Sequence, residues 1–262
     1  MNLHLANNVF VVSGGASGIG ENICKKLAEE GAIPCILDRN EKRMQNVSGE
    51  IEEKYGIEAF PVVTELTDQK DCRNSIEKVF RKYGKVNGLV NNAGLNEGVG
   101  LENGSYDKFV ASLDLNVGHC YTLANCLLPA LKETKGSIVN ICSKTAVTGQ
   151  GRSSGYAAAN GVRMELTREW AVELAPFEVN VNAVVVAECW TPQYEWWINQ
   201  QTDPEKELKK IISTIPLDRM TTPEEIADTV LLLLSLKSKS ITGEFFYVDG
   251  GYVFLDRRAT GR

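Results

Sequence analysis

Histidine is almost missing from this 262-residue chain: His4 and His119 are the only two, too few and too far apart to suggest a metal site. No segment stays apolar for the ~18 residues that a membrane span needs. The N-terminus, with Asn2, His4, Asn7 and Asn8 ahead of a short apolar run, lacks the basic start and long apolar stretch of a signal peptide. Runs of about five or six like charges are also absent, and 28 basic against 34 acidic residues give a formal charge of −6. Nucleic acid and acidic membrane are therefore not expected partners. The seven cysteines form no CxxC pair and read as small core residues in a reducing compartment, which implies a cytoplasmic address. Without a Pro/Gly/Ser linker, a low-complexity tract or an internal repeat, the economical reading is one domain.

What is present is an ordinary globular composition, 43% apolar and 24% charged, in which short β-rich runs alternate with longer stretches of helical period. That alternation predicts a parallel sheet covered by helices on both faces. The expected strands are Val9 to Ser13, Ile33 to Leu37, Ala59 to Val63, Gly88 to Asn91, Ser137 to Ile141, Val179 to Val186 and Phe245 to Val248. Ile19, Ile23 and Leu27 recur every four residues between the first two, so one helical face packs on the sheet and Gly31 ends it. Further helical patterns cover Glu41 to Tyr55, Gln69 to Lys82, Tyr106 to Leu131, Tyr156 to Leu174 and Pro223 to Leu236. Thr191 to Pro216 interrupts the alternation and is rich in aromatic and charged residues. An insertion there belongs at the carboxyl edge of the strands, where open α/β sheets bind ligands, and we expect it to act as a substrate lid.

Ser13-Gly14-Gly15-Ala16-Ser17-Gly18-Ile19-Gly20 follows the first strand directly and leads into a helix. Glycines in that position let the backbone approach a pyrophosphate, while the helix N-terminus offers free N–H groups. Eighteen residues beyond Gly20, Asp38 ends the second strand. A carboxylate there accepts hydrogen bonds from adenosine ribose hydroxyls and repels a 2′-phosphate, which points to NAD rather than NADP. The competing reading is that Asp38 caps the helix starting near Asn40 and that Arg39 offsets the repulsion.

Gly14-x-x-x-Gly18-x-Gly20, Asn91-Asn92-Ala93-Gly94, Asn116, Ser143 and Tyr156 together resemble the short-chain dehydrogenase/reductase family, from the first strand to Asp249-Gly250-Gly251. The resemblance implies one doubly wound Rossmann-type domain, a seven-stranded parallel sheet in the order 3-2-1-4-5-6-7, and a homotetramer. It implies Tyr156 as acid/base, Ser143 as the hydroxyl that orients the substrate oxygen, and Asn116 as part of a proton relay. Hydride would pass between nicotinamide C4 and a carbinol carbon. The cofactor would be held by Gly14, Ser17, Gly18, Ile19, Gly20, Asp38, Glu65, Leu66, Asn92, Ala93, Gly94, Tyr156 and Thr191. One departure matters: the family pattern is Tyr-x-x-x-Lys, and this chain reads Tyr156-Ala157-Ala158-Ala159-Asn160. Asn160 can donate to the nicotinamide ribose but carries no charge. Three explanations stand: an enzyme with a substitute cation, for which Lys144 is nearest in sequence although alternation points it away; a binding-only relative; or an altered variant. Smaller departures are Ser13 for the usual threonine, Glu65 for an aspartate, and Val186-Ala187 before Thr191 for Pro-Gly.

Ser143-Lys144-Thr145-Ala146-Val147-Thr148-Gly149-Gln150-Gly151, Thr167-Arg168-Glu169-Trp170-Ala171-Val172, Thr221-Thr222-Pro223 and Asp249-Gly250-Gly251-Tyr252 resemble the L-fucose dehydrogenase group within that family. A sugar or polyol is thus the expected small-molecule substrate. Asn96, Glu97 and Gln150 offer hydroxyl partners, and Trp190, Tyr194, Trp196 and Trp197 offer flat faces, unless these rings pack the insertion against the sheet or a neighbouring subunit. The alternative from another class is a catalytically silent, NAD-binding regulator or scaffold.

Overall fold

The apolar runs become strands of one sheet that helices cover on both faces, the inner runs with a neighbour on each edge. The computed structural model describes residues 2–255. Its strands are β1 (Val9–Ser13), β2 (Ile33–Asp38), β3 (Phe60–Val63), β4 (Gly88–Asn91), β5 (Ser137–Ser143), β6 (Asn180–Val186) and β7 (Phe245–Val248). They form one parallel sheet in the order β3-β2-β1-β4-β5-β6-β7, as expected. Every residue of β1, β4 and β6 is buried, which explains why these strands read as continuous apolar runs rather than alternating ones. The order reverses between β1 and β4, opening a crevice at their carboxyl ends.

Three helices cover each face. On one side α1 (Gly18–Glu29), α2 (Glu41–Tyr55) and α9 (Pro223–Leu234) bury Ile23, Leu27, Met44, Ile51 and Leu231 against Val12 and Ile36. On the other, α3 (Gln69–Tyr83), α5 (His119–Thr134) and α6 (Ser154–Leu174) bury Ile76, Leu123, Leu127 and Trp170 against Val11 and Leu89. The helix starts are set by side chains: Asn40 accepts from Arg43 N, Asp68 from Lys70 N, and Thr222 forms a reciprocal box with Glu225.

One expectation needs correction. The single helix read over Tyr106 to Leu131 is α4 (Tyr106–Leu113) and α5, separated by a π turn at Asp114–Gly118. The extra residue in that turn directs Asn116 inward, where its amide bonds Leu95 and Ser112. Helical periodicity does not reveal such a turn. The insertion after Thr191, read only as an interruption of the alternation, contains α7 (Pro192–Ile198) and α8 (Pro204–Ile212), each begun by a capping side chain with proline at the first helical position.

Glycine is required at some positions and wasteful at others. A Cβ on Gly20 would lie 2.2 Å from the Gly14 carbonyl oxygen, whereas one on Gly49, inside α2, would meet nothing within 4 Å. Gly20→Ala should therefore destabilise the fold by about 1–3 kcal/mol through forced backbone movement. Gly49→Ala should stabilise it by about 0.5–1 kcal/mol by removing helix-interior glycine entropy. Urea unfolding of both variants beside the parent checks the pair.

Candidate functional site

The crevice begins at the glycine loop. Gly14 and Gly18 hold positive φ of 66° and 58°, a region that favours glycine. Ser13 Oγ accepts from the backbone N–H groups of Asn92 (3.0 Å) and Ala93 (3.2 Å), and the Asn92 amide donates back to the Ser13 and Gly14 carbonyls. The β1 loop and the β4 loop are thus joined through the side chains of Ser13 and Asn92. Ser17, the N-cap of α1, has no capping bond, so its hydroxyl faces the loop uncommitted. Thr191 lies over this loop, its Cβ 3.5 Å from where a Gly18 side chain would start. Ile19 is half-buried against the core. A pyrophosphate fits this loop, which offers close backbone approach at a helix N-terminus because side chains at Gly14 or Gly20 would force the backbone apart.

Asp38 ends β2 with its carboxylate bonded to backbone on two sides. Its Oδ1 accepts from Asn40 N (2.9 Å) and its Oδ2 from Ala16 N in the glycine loop (3.3 Å). The carboxylate does not cap α2, whose cap is Asn40. It spans the end of β2 and the loop where an adenosine ribose would sit. Glu65 binds the Thr67 hydroxyl and N–H, which hold its carboxyl below the usual range, and Leu66 packs into the core beside it.

Ser143 ends β5 and Tyr156 lies in the first turn of α6, and Asn160 bonds the backbone of both. The Asn160 carboxamide oxygen accepts from Ser143 N (2.9 Å), and its nitrogen donates to the Tyr156 carbonyl (2.9 Å). Ser143 Oγ accepts only from Thr145 N, and the Tyr156 hydroxyl makes no hydrogen bond among the described residues. Two hydroxyls therefore stand ready for a substrate oxygen. Asn160 itself is 2% exposed, and one of its two amide N–H groups is committed to the Tyr156 carbonyl. Asn116 is likewise committed: both amide N–H groups are donated, to Leu95 and Ser112, so a relay through its side chain has no donor left.

Lys144 does not replace the missing lysine. It is buried, ion-paired with Glu188, and 3.9 Å from the Tyr252 ring centre, while Tyr194 donates to the other Glu188 oxygen (2.8 Å). A residue that sequence reasoning passed over does supply charge. Arg163, 4% exposed, donates to the Asn116 carbonyl from Nε (2.9 Å) and from one terminal nitrogen, to the Ile141 carbonyl (2.7 Å) and to the Ala93 carbonyl. Its only signal in the sequence is a position: it lies seven residues beyond Tyr156, on the same helical face. Burial, reinforced by Arg163, pushes His119 down to about 3 and keeps it neutral.

On the substrate side, Asn96 donates to Ser153 (3.0 Å) and Glu97 accepts from Ser112 (3.0 Å), while Gln150 is exposed. Trp190, Tyr194 and Trp197 contact one another, with ring centres 6.1 and 5.5 Å apart, so they partly pack the insertion as the alternative reading held. Trp196 stands outside that group and is 65% exposed.

The family profile described as enoyl-(acyl carrier protein) reductase matches residues 14–253. The chain is 32% identical to 3-oxoacyl-(acyl-carrier-protein) reductase of Thermotoga maritima, over 96% of this chain and 100% of that one. It is 30% identical to L-fucose dehydrogenase of Bos taurus, over 96% and 91%. Among solved structures, Cj0485 dehydrogenase superposes with a TM-score of 0.93 at 40% identity, covering 98% of each chain.

The buried histidine gives the site a pH signature. An unfolded His119 takes up a proton below about 6.5, which the folded protein refuses down to about 3. The unfolded state binds more protons in that window, so stability should fall as pH drops below about 6.5. Between about pH 6.5 and 5, where carboxylates stay ionised, His119→Phe should flatten this fall, as measured by denaturant midpoints.

Proposed function

The chain belongs to the short-chain dehydrogenase/reductase family, and from that membership we propose that it is an NAD-dependent dehydrogenase acting on a secondary alcohol of a sugar such as L-fucose. It is an oxidoreductase of alcohol and ketone groups, from a family that uses a nicotinamide cofactor. The observation that supports the reading is that the Tyr156 hydroxyl makes no hydrogen bond among the described residues and the Ser143 hydroxyl only accepts, from Thr145 N, while Asn160 holds the backbone of both residues. Asp38, which meets that loop, supports NAD. Asn96, Glu97, Gln150, Trp190 and Trp196 support a substrate with several hydroxyls and an apolar ring face.

Gly14, Ser17, Gly18, Ile19 and Gly20 hold the pyrophosphate, Asp38 the adenosine ribose, Glu65 and Leu66 the adenine, and Asn92, Ala93, Gly94 and Thr191 the nicotinamide end. The bound nicotinamide supplies a hydride acceptor. Ser143 donates to the substrate oxygen and fixes its direction, and Tyr156 takes the hydroxyl proton as hydride leaves carbon. Asn160 contributes by position, since its hold on Ser143 N sets where that hydroxyl points. Asn116 fixes Leu95 and thereby the loop that carries Asn96 and Glu97.

NAD should bind at least about 10-fold more tightly than NADP, and Asp38→Ala should narrow that ratio, because charge-assisted hydrogen bonds are worth about 1.5–3 kcal/mol each. Fluorescence titration of both dinucleotides checks this, and tighter NADP binding by the parent would remove Asp38 from the ribose.

With NAD and a panel of aldoses, polyols, steroids and 3-hydroxyacyl thioesters, reduced cofactor should accumulate on a sugar. Tyr156→Phe should abolish it with NAD affinity unchanged, and Ser143→Ala should slow it by about 10²- to 10³-fold. Oxidation of a thioester alone would replace the sugar in this reading. NAD binding with no turnover of any alcohol would favour a regulator.

A further inference from the structure

We propose that Glu188 is a positioning residue of the cofactor site: paired with Lys144, its carboxylate ties down Tyr194 and thereby sets Thr191 over the glycine loop, so that one contact governs how firmly the start of the insertion closes on a bound dinucleotide. The inference rests on the reading above in which Thr191 meets the nicotinamide end of the cofactor.

Glu188 stands on a stretch of chain that is held on both sides. It lies two residues beyond β6. Its carbonyl accepts from Thr221 N (3.0 Å), Trp190 N donates to the Thr221 carbonyl (3.2 Å), and Cys189 pairs with Thr221 as a parallel bridge. The main chain is thus pinned to the residue that precedes the cap of α9. The Glu188 side chain is 14% exposed and that of its ion-pair partner Lys144 is 9% exposed. Lys144 is fixed in turn. Its Nζ lies 3.9 Å from the Tyr252 ring centre, and its carbonyl closes the turn after Ser143 by accepting from Val147 N (2.9 Å), Thr148 N (2.9 Å) and the Thr148 hydroxyl (3.0 Å).

The second Glu188 oxygen faces the insertion. It accepts from the Tyr194 hydroxyl (2.8 Å), which among the described residues is the one side-chain hydrogen bond that α7 makes outside its own segment. α7 is otherwise lightly held: Ile198 is buried, Tyr194 is half-buried and its other residues are exposed. At the other end of the same residue, Tyr194 N donates to Thr191 Oγ1 (3.2 Å), and Thr191 is the residue that overlies Gly18. Tyr194 therefore joins a fixed carboxylate to the cap of α7 within one turn. Burial and that carboxylate push the phenol up, which keeps it a donor. A hydrogen bond to an ionised acceptor is roughly twice as strong as a neutral one. A buried ion pair, by contrast, adds little net stability over apolar residues of the same size, so the pair matters here for the position it imposes.

The test reads the insertion and the cofactor separately. Amide hydrogen exchange over residues 191–199 is measured in the cofactor-free protein, and NAD affinity by calorimetry, for the parent, Tyr194→Phe, Lys144→Met/Glu188→Leu and the three substitutions combined. Tyr194→Phe keeps the ring, with its packing on Trp190 and Trp197, and leaves the ion pair intact. The double variant removes the carboxylate without leaving a buried charge unpaired. Each should speed exchange at the start of α7 by about 10-fold, as expected for losing one hydrogen bond to a charged group, and weaken NAD binding by about 3- to 10-fold. Adding Tyr194→Phe to the double variant should change either quantity by less than about 2-fold, because all three residues act through one contact. A folded Tyr194→Phe with the exchange and affinity of the parent overturns the proposal, and so does a folded triple variant in which the effects multiply. Should Tyr194→Phe not fold, the double variant decides on the same two readings. Thr191→Val separates this inference from the reading beneath it. If that variant weakens NAD binding while Tyr194→Phe speeds exchange alone, the tie is structural and the positioning role is overturned. If Thr191→Val binds NAD as the parent does, the Thr191 assignment fails and the inference falls with it. A rise confined to the KM of the alcohol, with exchange and NAD affinity unmoved, would make Glu188 a substrate contact and likewise overturn the proposal.

Discussion

Three backbone carbonyls from three separate segments converge on one guanidinium, and the floor of the cleft depends on that convergence. Ala93 follows β4, Asn116 sits in the π turn, and Ile141 lies two residues before Ser143. Removing a guanidinium from water costs several kcal/mol, and carbonyl hydrogen bonds offset this only when the donor fork is held in good geometry. Arg163 meets that condition with four bonds to three acceptors, using most of its five N–H groups. Substitution here disturbs the β4 loop, the π turn and β5 together, because each is positioned by the same planar group.

The polar residues around that floor form a set in which each one's role follows from its neighbour's. Asn160 is short enough to turn back onto β5 and hold Ser143, which a long charged chain at that position would not do. Glu188, two residues beyond β6, neutralises Lys144 and receives the Tyr194 hydroxyl, so the cation nearest Ser143 in sequence belongs to a closed network. Burial and the adjacent Glu188 carboxylate both push the Tyr194 phenol up, which keeps it a donor. Neutral asparagine, compensated lysine and uncompensated arginine are mutually consistent, and changing one alone would leave a buried polar group without its partner.

The sheet was legible because its signal is long-range and repetitive: apolar runs of strand length separated by helical periods allow few arrangements, and all seven strands fall where the runs predict. The glycine loop was legible because it lies at a boundary between elements, where residue type is constrained by backbone shape, whereas Ser143 and Tyr156 stood out only through the family resemblance. The π turn was not, since one inserted residue leaves the period of Tyr106 to Leu131 almost unchanged. Arg163 was hidden for a similar reason. An arginine on an amphipathic helix normally faces solvent, and only the three-dimensional meeting of Ala93, Asn116 and Ile141 makes this one a buried charge.

The insertion after β6 is anchored unequally, and this decides where specificity can vary. Its first residue, Thr191, caps α7 and rests on the glycine loop, while Tyr194 one turn later is tied to Glu188 and hence to Lys144 beside Ser143. The start of α7 therefore links the cofactor side of the crevice to the catalytic side, and it has little freedom to change without moving both. α8 is different: none of its residues is fully buried, and its basic last turn, Lys209 and Lys210, faces away from the core. Trp196, on α7 but outside the aromatic group, shares that independence. Residues whose contacts are few are the ones that can be exchanged at little cost to the fold. The outward face of α7 and α8 can therefore vary without moving the floor whose geometry the buried guanidinium holds.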